Sequence, residues 1–545
     1  MRINQHSAPW LAVLIFFAGM LTWGCEDNGA KNGATVKGAA EALPHGGTYR
    51  LPLTQNPASL DPARVHHNYD LAVVYQLFDG LIRFDPYLSP RPSLAQTWRI
   101  EEDGRRYTFI LRNDARFHNG DAVTVGDVIF SLSRLLRVEP PPAVLPHLLK
   151  IQGAQAYRER HAEVVTGLQA LGANRLQVRL KEPHVPFLTA LGMYHAMIVP
   201  QRVVTADVEG FGRQPVGSGP FRFVSWVADQ SIRLERFDRY YDGPSPLDTV
   251  LFKIYSKQRQ QHVVEDFLAG DLEEMPVFSD ETKAALAGRN GLQWFHRPSL
   301  SLFFYGINNR KPPLSDPALR RVLSGAIDRR QLVETVYNGR FETAHTILPP
   351  GMPGYQPPTM DAGTAMPESS LDQTRLTKGT GGTPVIEIAS AYDSPRVRAE
   401  MELVRASWEK LGIGLAAKYI PDWQAFNAYI RSDAVQVYRY VWFADMPDPD
   451  SILYPLFSSG SADNFLRFED ARVDGLLNAA RGVVDPLDRA RVYRQAEALI
   501  LASTPVIPLF HLSVDQVYQG NVRNVQPSAL GAHTMSLHKV WLDRP

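Results

Sequence analysis

Residues 384–443 constrain the fold more tightly than any other stretch of this chain. VIEIAS reads as a strand; Met401, Val404, Trp408 and Leu411 then recur on one helical face that stops at Gly412. LAAKYI is a second strand, Asp422 opens a second helix, and VQVYRYVWF is a third strand. Strand, helix, strand, helix, strand is α/β patterning and predicts a parallel sheet.

Other elements carry local signals. RYTFILR at 106–112 alternates as a half-buried strand does, and Asn119-Gly120 marks a turn. Thr124 and Asp127 form a capping box ahead of Val128, Leu132 and Leu135 at helical spacing. Residues 220–226 and 231–237 read as a hairpin, and 249–255 as a further strand. Asp316-Pro317 and Asp328 predict the N-caps of two helices, the second ending at Gly339, and Asp485-Pro486 opens a long helix through Ile500. Residues 356–383 are rich in Pro, Gly, Ser and Thr without periodicity and read as a surface loop.

The single cysteine, Cys25, closes an apolar run from Trp10 to Gly24 that follows Arg2. A positive start and an apolar stretch too short to span a bilayer comfortably describe a secretory signal over 1–25, so the chain is expected to be exported. Residues 26–46 are small, polar and Gly/Ala-rich, a flexible tether with a reach of about 25 Å. No later apolar run reaches about 18 residues without a charge, Pro or Gly. With no second thiol, stability must come from a packed core. Lys plus Arg and Asp plus Glu both number 57, so there is no broad basic face, and no nucleic-acid partner is expected.

Enzyme motifs are missing: Val216-Gly217-Ser218-Gly219 lacks the first glycine of G-x-S-x-G, and neither H-E-x-x-H nor a phosphate-binding glycine loop occurs. His66 and His67 would face opposite sides of a strand, which disfavours a shared metal. Asp445, Asp448 and Asp450 lack the glycine and glutamate of a calcium loop, so neither metal nor cofactor is expected. The informative stretch is Arg439 to Asp450, where a buried strand runs into acids beside aromatics. An acid there is costly unless it meets a cation or several donors, and the carboxyl end of such a strand is where open α/β sheets place ligands. Asp445 either caps a turn, pairs with an internal arginine, or faces a ligand.

Trp442-Phe443-Ala444-Asp445-Met446-Pro447-Asp448-Pro449 resembles the W-x-x-D-x-x-D-P signature of family 5 extracellular solute-binding proteins, the dipeptide- and oligopeptide-binding receptors of ABC importers. Further blocks agree in order and spacing across about 450 residues: Leu60-Asp61-Pro62, Phe78-Asp79-Gly80-Leu81, Pro92 to Trp98, Phe117-His118-Asn119-Gly120, Pro215 to Phe221, Arg320-Arg321 with Ala326 to Arg329, and Pro505 to Leu509.

The resemblance implies an α/β, two-lobed periplasmic-binding-protein type II fold with an extra N-terminal subdomain. Residues 47–74, 205–298 and 512–545 would form lobe I, 75–204 an inserted subdomain on its side, and 299–511 lobe II. Ligand would be trapped as the lobes close. By motif match, Asp445 would pair with a peptide's α-ammonium, Arg439 would receive a ligand carboxylate, and Trp442 and Met446 would line the site; Met446 and Pro447 depart from the residues usual after the acid. Six residues preserve the face of a strand, so Arg439 and Asp445 could share a cleft about 20 Å apart. Cys25 resembles the acylated cysteine of a lipobox, with Thr22 where that pattern has Leu, and implies a lipid anchor to a membrane. The expected partners are a peptide and the permease subunits of an ABC transporter, with the receptor itself a monomer. Other members bind nickel chelates, haem, oligosaccharides or opine-like solutes, or act as ligand-occupied sensors.

Overall fold

The computed structural model describes residues 46–65, 67–256, 261–277, 279–357 and 384–543. The expected signal with Cys25, the tether through residue 45, His66, and residues 358–383 of the irregular stretch lie outside the described residues.

Val385–Ser390 pairs in parallel with both Gly414–Tyr419 and Val437–Phe443, and the helices Pro395–Glu409 and Trp423–Arg431 supply the crossovers. Ser394 Oγ accepts from the Val397 N–H at 3.3 Å and Asp422 Oδ1 from the Ala425 N–H at 2.7 Å, which starts each helix where the sequence places a cap. The sheet is mixed rather than wholly parallel. Ser301–Ile307, buried along its whole length, runs antiparallel to Val437–Phe443 on one side and to Val506–His511 on the other. Local periodicity cannot reveal a partner that arrives from so far along the chain. On one face of this six-stranded sheet lie Met401, Val404 and Trp408 with Leu319, Leu323 and Leu332 of the helices Pro317–Ala326 and Arg329–Val336. The other face carries Leu453, Leu477 and Ile500 from the helices Asp450–Phe457, Ala471–Ala480 and Pro486–Ser503.

The N-terminal half holds two further sheets. Thr48–Leu53, Thr249–Ile254, Ser231–Arg236 and Phe221–Val227 form one, and it contains the predicted hairpin. Ala95–Glu101, Arg106–Leu111, Arg175–Arg179 and Leu168–Ala170 form the other, all antiparallel. The helix Val125–Leu135 starts at the predicted capping box: Thr124 Oγ1 accepts from the Asp127 N–H at 3.2 Å, and Asp127 Oδ2 accepts from the Thr124 N–H at 3.0 Å.

A three-stranded sheet of Glu274–Pro276, Ser513–Gln519 and Leu292–Pro298 stands next to the six-stranded one in sequence and in space. The chain passes between these sheets twice, through Ser299 and Leu300 and back through Leu512. The two crossings are tied together: the Ser299 N–H donates to Leu512 O at 2.7 Å, and the Leu512 N–H to Ser301 Oγ at 3.0 Å. Two adjacent connecting segments thus join two bodies. The helix Asn68–Leu77 is fixed at its C-terminal end by the segment around Gly217 and Gly219, whose backbone closes directly onto it. The Gly219 N–H donates to Leu77 O at 2.9 Å, and a Cβ on Gly217 would stand 1.9 Å from that same oxygen, which explains why the motif needs glycine there.

Candidate functional site

A cavity of about 620 Å³ opens where the two crossings, the helix Asn68–Leu77 and the end of the strand Val437–Phe443 meet. That strand ends at Phe443, and the Ala444 N–H donates to Leu300 O at 2.8 Å, so the chain leaves the sheet beside a crossing. Asp445 follows, on the cavity wall. Its side chain reaches water there, yet protein encloses it closely enough that desolvation is the leading cause pushing its carboxyl up to about 6, with the negative charge of Asp463 adding to it. Among the described residues Asp445 makes neither a hydrogen bond nor an ion pair. Tyr75 and Tyr194 stand opposite; each phenol is raised first by its own burial and then by the charge of Asp445. Glu274 is a second acid on the cavity wall. It accepts from the Tyr49 hydroxyl at 2.7 Å, and burial pushes its carboxyl up to about 7.

The acids that follow in the signature are engaged. Asp448 accepts from Arg489 Nη1 and Nη2 at 2.7 Å each, and Asp450 from Arg481 Nε at 2.6 Å and Nη2 at 2.9 Å. Burial would raise the Asp450 carboxyl, but the hydrogen bond and charge of Arg481 outweigh it and hold the group below its ordinary value.

Of the four residues that the sequence nominates for the ligand, Asp445 alone lines the cavity. Arg439 lies on the face of the strand covered by the helix Pro395–Glu409, where its Nε donates to Glu400 Oε1 at 3.0 Å and its Nη2 to Tyr337 Oη at 3.0 Å. Glu400 is fully buried and also accepts from Tyr305 at 2.7 Å, so the guanidinium answers an internal charge rather than facing the cleft. The strand's alternation stops at Phe443, two residues short of Asp445, so a six-residue spacing does not carry Arg439 to the same side. Trp442 is half-buried and donates from Nε1 to Ser451 O at 2.7 Å, closing the turn that carries the acids. Met446 is buried in an apolar core that includes Leu81, Phe109 and Phe187 of the N-terminal half. Trp442 and Met446 shape the loop; they do not wall the cavity. Tyr75, Tyr194, Glu274 and Phe443 do, and no motif marks the first three, because they come from three separate elements of the N-terminal half.

Two bodies joined by paired crossings, with an acid unpaired in the space between them, define a two-lobed solute-binding protein. The family model described as "Bacterial extracellular solute-binding proteins, family 5 Middle" matches residues 89–464, and the chain belongs to that family. It is 26% identical over 510 residues to Heme-binding protein A of Haemophilus influenzae, covering 89% of this chain and 91% of that protein. It is 25% identical over 464 residues to the dipeptide-binding protein of Escherichia coli, covering 81% and 84%. The solved structure of HbpA2 from Haemophilus parasuis superposes with a TM-score of 0.78 at 24% identity, covering 91% of this chain and all of that one, and it shares the two-lobed α/β fold with its extra N-terminal subdomain. Among the described residues, no helix is long and apolar enough to cross a membrane.

Proposed function

We propose that this chain is the receptor of an ABC importer that captures peptides in the interlobe cleft, catalyses no reaction, and hands its ligand to a membrane permease. One observation carries the reading: Asp445 stands unpaired on the cleft wall while the acids three and five residues later are both neutralised by arginines. An enclosed carboxylate without a counter-charge is unfavourable in the free protein and suits a cationic guest. A peptide's α-ammonium is the group common to all peptides, so a receptor tolerant of many side chains gains by reading it, with bridging waters filling the variable space. The similarity to a protein named for dipeptide binding supports this choice. Lipidation of Cys25 followed by the tether would keep a monomeric receptor close to its permease and raise its effective concentration there; Cys25→Ser should then move the protein to the soluble fraction.

The test is calorimetry on purified protein with peptides identified by mass spectrometry after denaturing it as isolated from its native host. Asp445→Ala is expected to weaken binding at least about a hundredfold, and N-acetylated peptides to fail to compete. Unchanged affinity in the variant would reject the amine anchor. Tight haemin binding untouched by Asp445→Ala would instead favour the class named by the Haemophilus influenzae relative.

A further inference from the structure

A second cavity, of about 650 Å³, lies beside the cleft and is lined by the N-terminal half and residues 524–539. Tyr75, Leu530, Thr534 and Met535 line both spaces, so the two cavities adjoin along one helix and one C-terminal turn.

The two spaces differ in charge. On the cleft side Asp445 and Glu274 have no cationic partner among the described residues, and the arginine present, Arg340, donates from Nε to Asp515 at 2.9 Å. The second cavity carries Arg83, Arg91, Arg112 and Lys539 against Asp79, Asp85 and Asp242. Arg83 and Lys539 meet Asp242 at 3.2 and 3.8 Å, and Arg91 meets Asp85 at 2.8 Å. Arg112 differs. Its Nε donates to Ser93 O at 2.8 Å and its Cζ lies 4.7 Å from the Tyr241 ring centre, but no carboxylate comes within ion-pairing distance among the described residues. Two contacts fix the orientation of the guanidinium while its terminal nitrogens stay available. Asp79, buried on the same wall, is pushed up to about 6 by burial, against the charge of Arg83 and hydrogen bonds from Tyr240, Tyr241 and Ser93 that lower it.

A peptide bound wholly in the cleft would satisfy its ammonium and leave its carboxylate enclosed beside acids, a costly arrangement. We propose that the two cavities form one bipartite site in which the ligand's amine sits at Asp445 and its chain passes Tyr75 to deliver a carboxylate to Arg112. The guanidinium fork suits a carboxylate better than a point charge would. The site therefore favours peptides long enough to place an amine in one cavity and a free carboxylate in the other. This deepens the peptide reading and rests on it.

The test uses wild type, Arg112→Gln and Arg112→Lys in equilibrium dialysis against randomised tri- to hexapeptide pools, each as free acid, C-terminal amide and N-acetyl form, read by mass spectrometry. Wild type is expected to retain free acids at least about tenfold better than amides; Arg112→Gln to reduce that to within about twofold; Arg112→Lys to restore part of it. All three proteins should reject N-acetylated pools. Equal retention of acids and amides by wild type, with N-acetylated pools still rejected, overturns the bipartite site and leaves the amine anchor standing. Undiminished acid preference in Arg112→Gln also overturns it. Retention of N-acetylated pools, or of no pool, overturns the peptide reading itself. Should Arg112→Gln fail to fold, Arg112→Lys, which keeps the charge and loses the fork, must still lower the acid preference.

Discussion

Arg489 grips both oxygens of Asp448 at 2.7 Å, while Asp445, three residues earlier in the same loop, has no such partner among the described residues. The same tie holds Asp450 to Arg481, so two buried ion pairs anchor the loop to the helix pair behind it, and the remaining acid is left for the cleft. The loop's ion pairs and its unpaired carboxylate thus fall to residues that look alike in sequence.

Removing one member of the Asp448–Arg489 pair strands a desolvated charge. Arg489→Met alone is expected to cost about 3–5 kcal/mol of unfolding free energy, and the double variant Arg489→Met with Asp448→Leu to recover much of it. Chemical denaturation of the single and double variants measures this. Equal losses in both would mean that packing, not charge, dominates there.

Arg439 separates structure from binding. Glu400, Tyr305 and Tyr337 surround its guanidinium, so Arg439→Met leaves a buried carboxylate unmatched and should destabilise the protein by about 3–5 kcal/mol. Peptide affinity of the fraction that remains folded should stay within about twofold of wild type. A selective loss of affinity, without loss of stability, would return Arg439 to the ligand.

Binding should depend on pH through Asp445. Its carboxyl titrates at about 6 in the free protein, and pairing with an ammonium lowers that value in the complex. Affinity is therefore expected to be highest at about pH 7, to fall as the pH drops through 6, because a proton competes with the ligand, and to fall again above about pH 8, where the ligand's α-ammonium loses its own proton. Binding at pH 6 should release about half a proton, and less at pH 7. Calorimetry in buffers of different ionisation enthalpy counts those protons. The sign for the free protein is opposite to that of a paired acid: with the folded value above the ordinary 3.8, the ionised form costs stability above pH 6. Asp445→Asn should melt higher than wild type at pH 7.5, by a margin that shrinks as the pH falls from 6 towards 4.

Much of the fold was readable in the sequence because the deciding forces are local. Ser394, Asp422, Asp316 and Thr124 act as caps through hydrogen bonds to backbone N–H groups two or three residues on, and Met401, Val404 and Trp408 face the core because of helical period alone. The parallel order of Val385–Ser390, Gly414–Tyr419 and Val437–Phe443 follows from the crossovers between them. The antiparallel insertion of Ser301–Ile307 left no such trace, since nothing near it in sequence depends on which strand it joins.

The family, the α/β order and the loop of three acids can be read along the chain; which of those acids lacks a counter-charge emerges from the packing of distant segments. The counter-charges of Asp450 and Asp448 lie 31 and 41 residues further along, and that of Arg439 lies 39 residues back. An ion pair is set by where side chains meet in space, and spacing along a chain carries no record of that meeting.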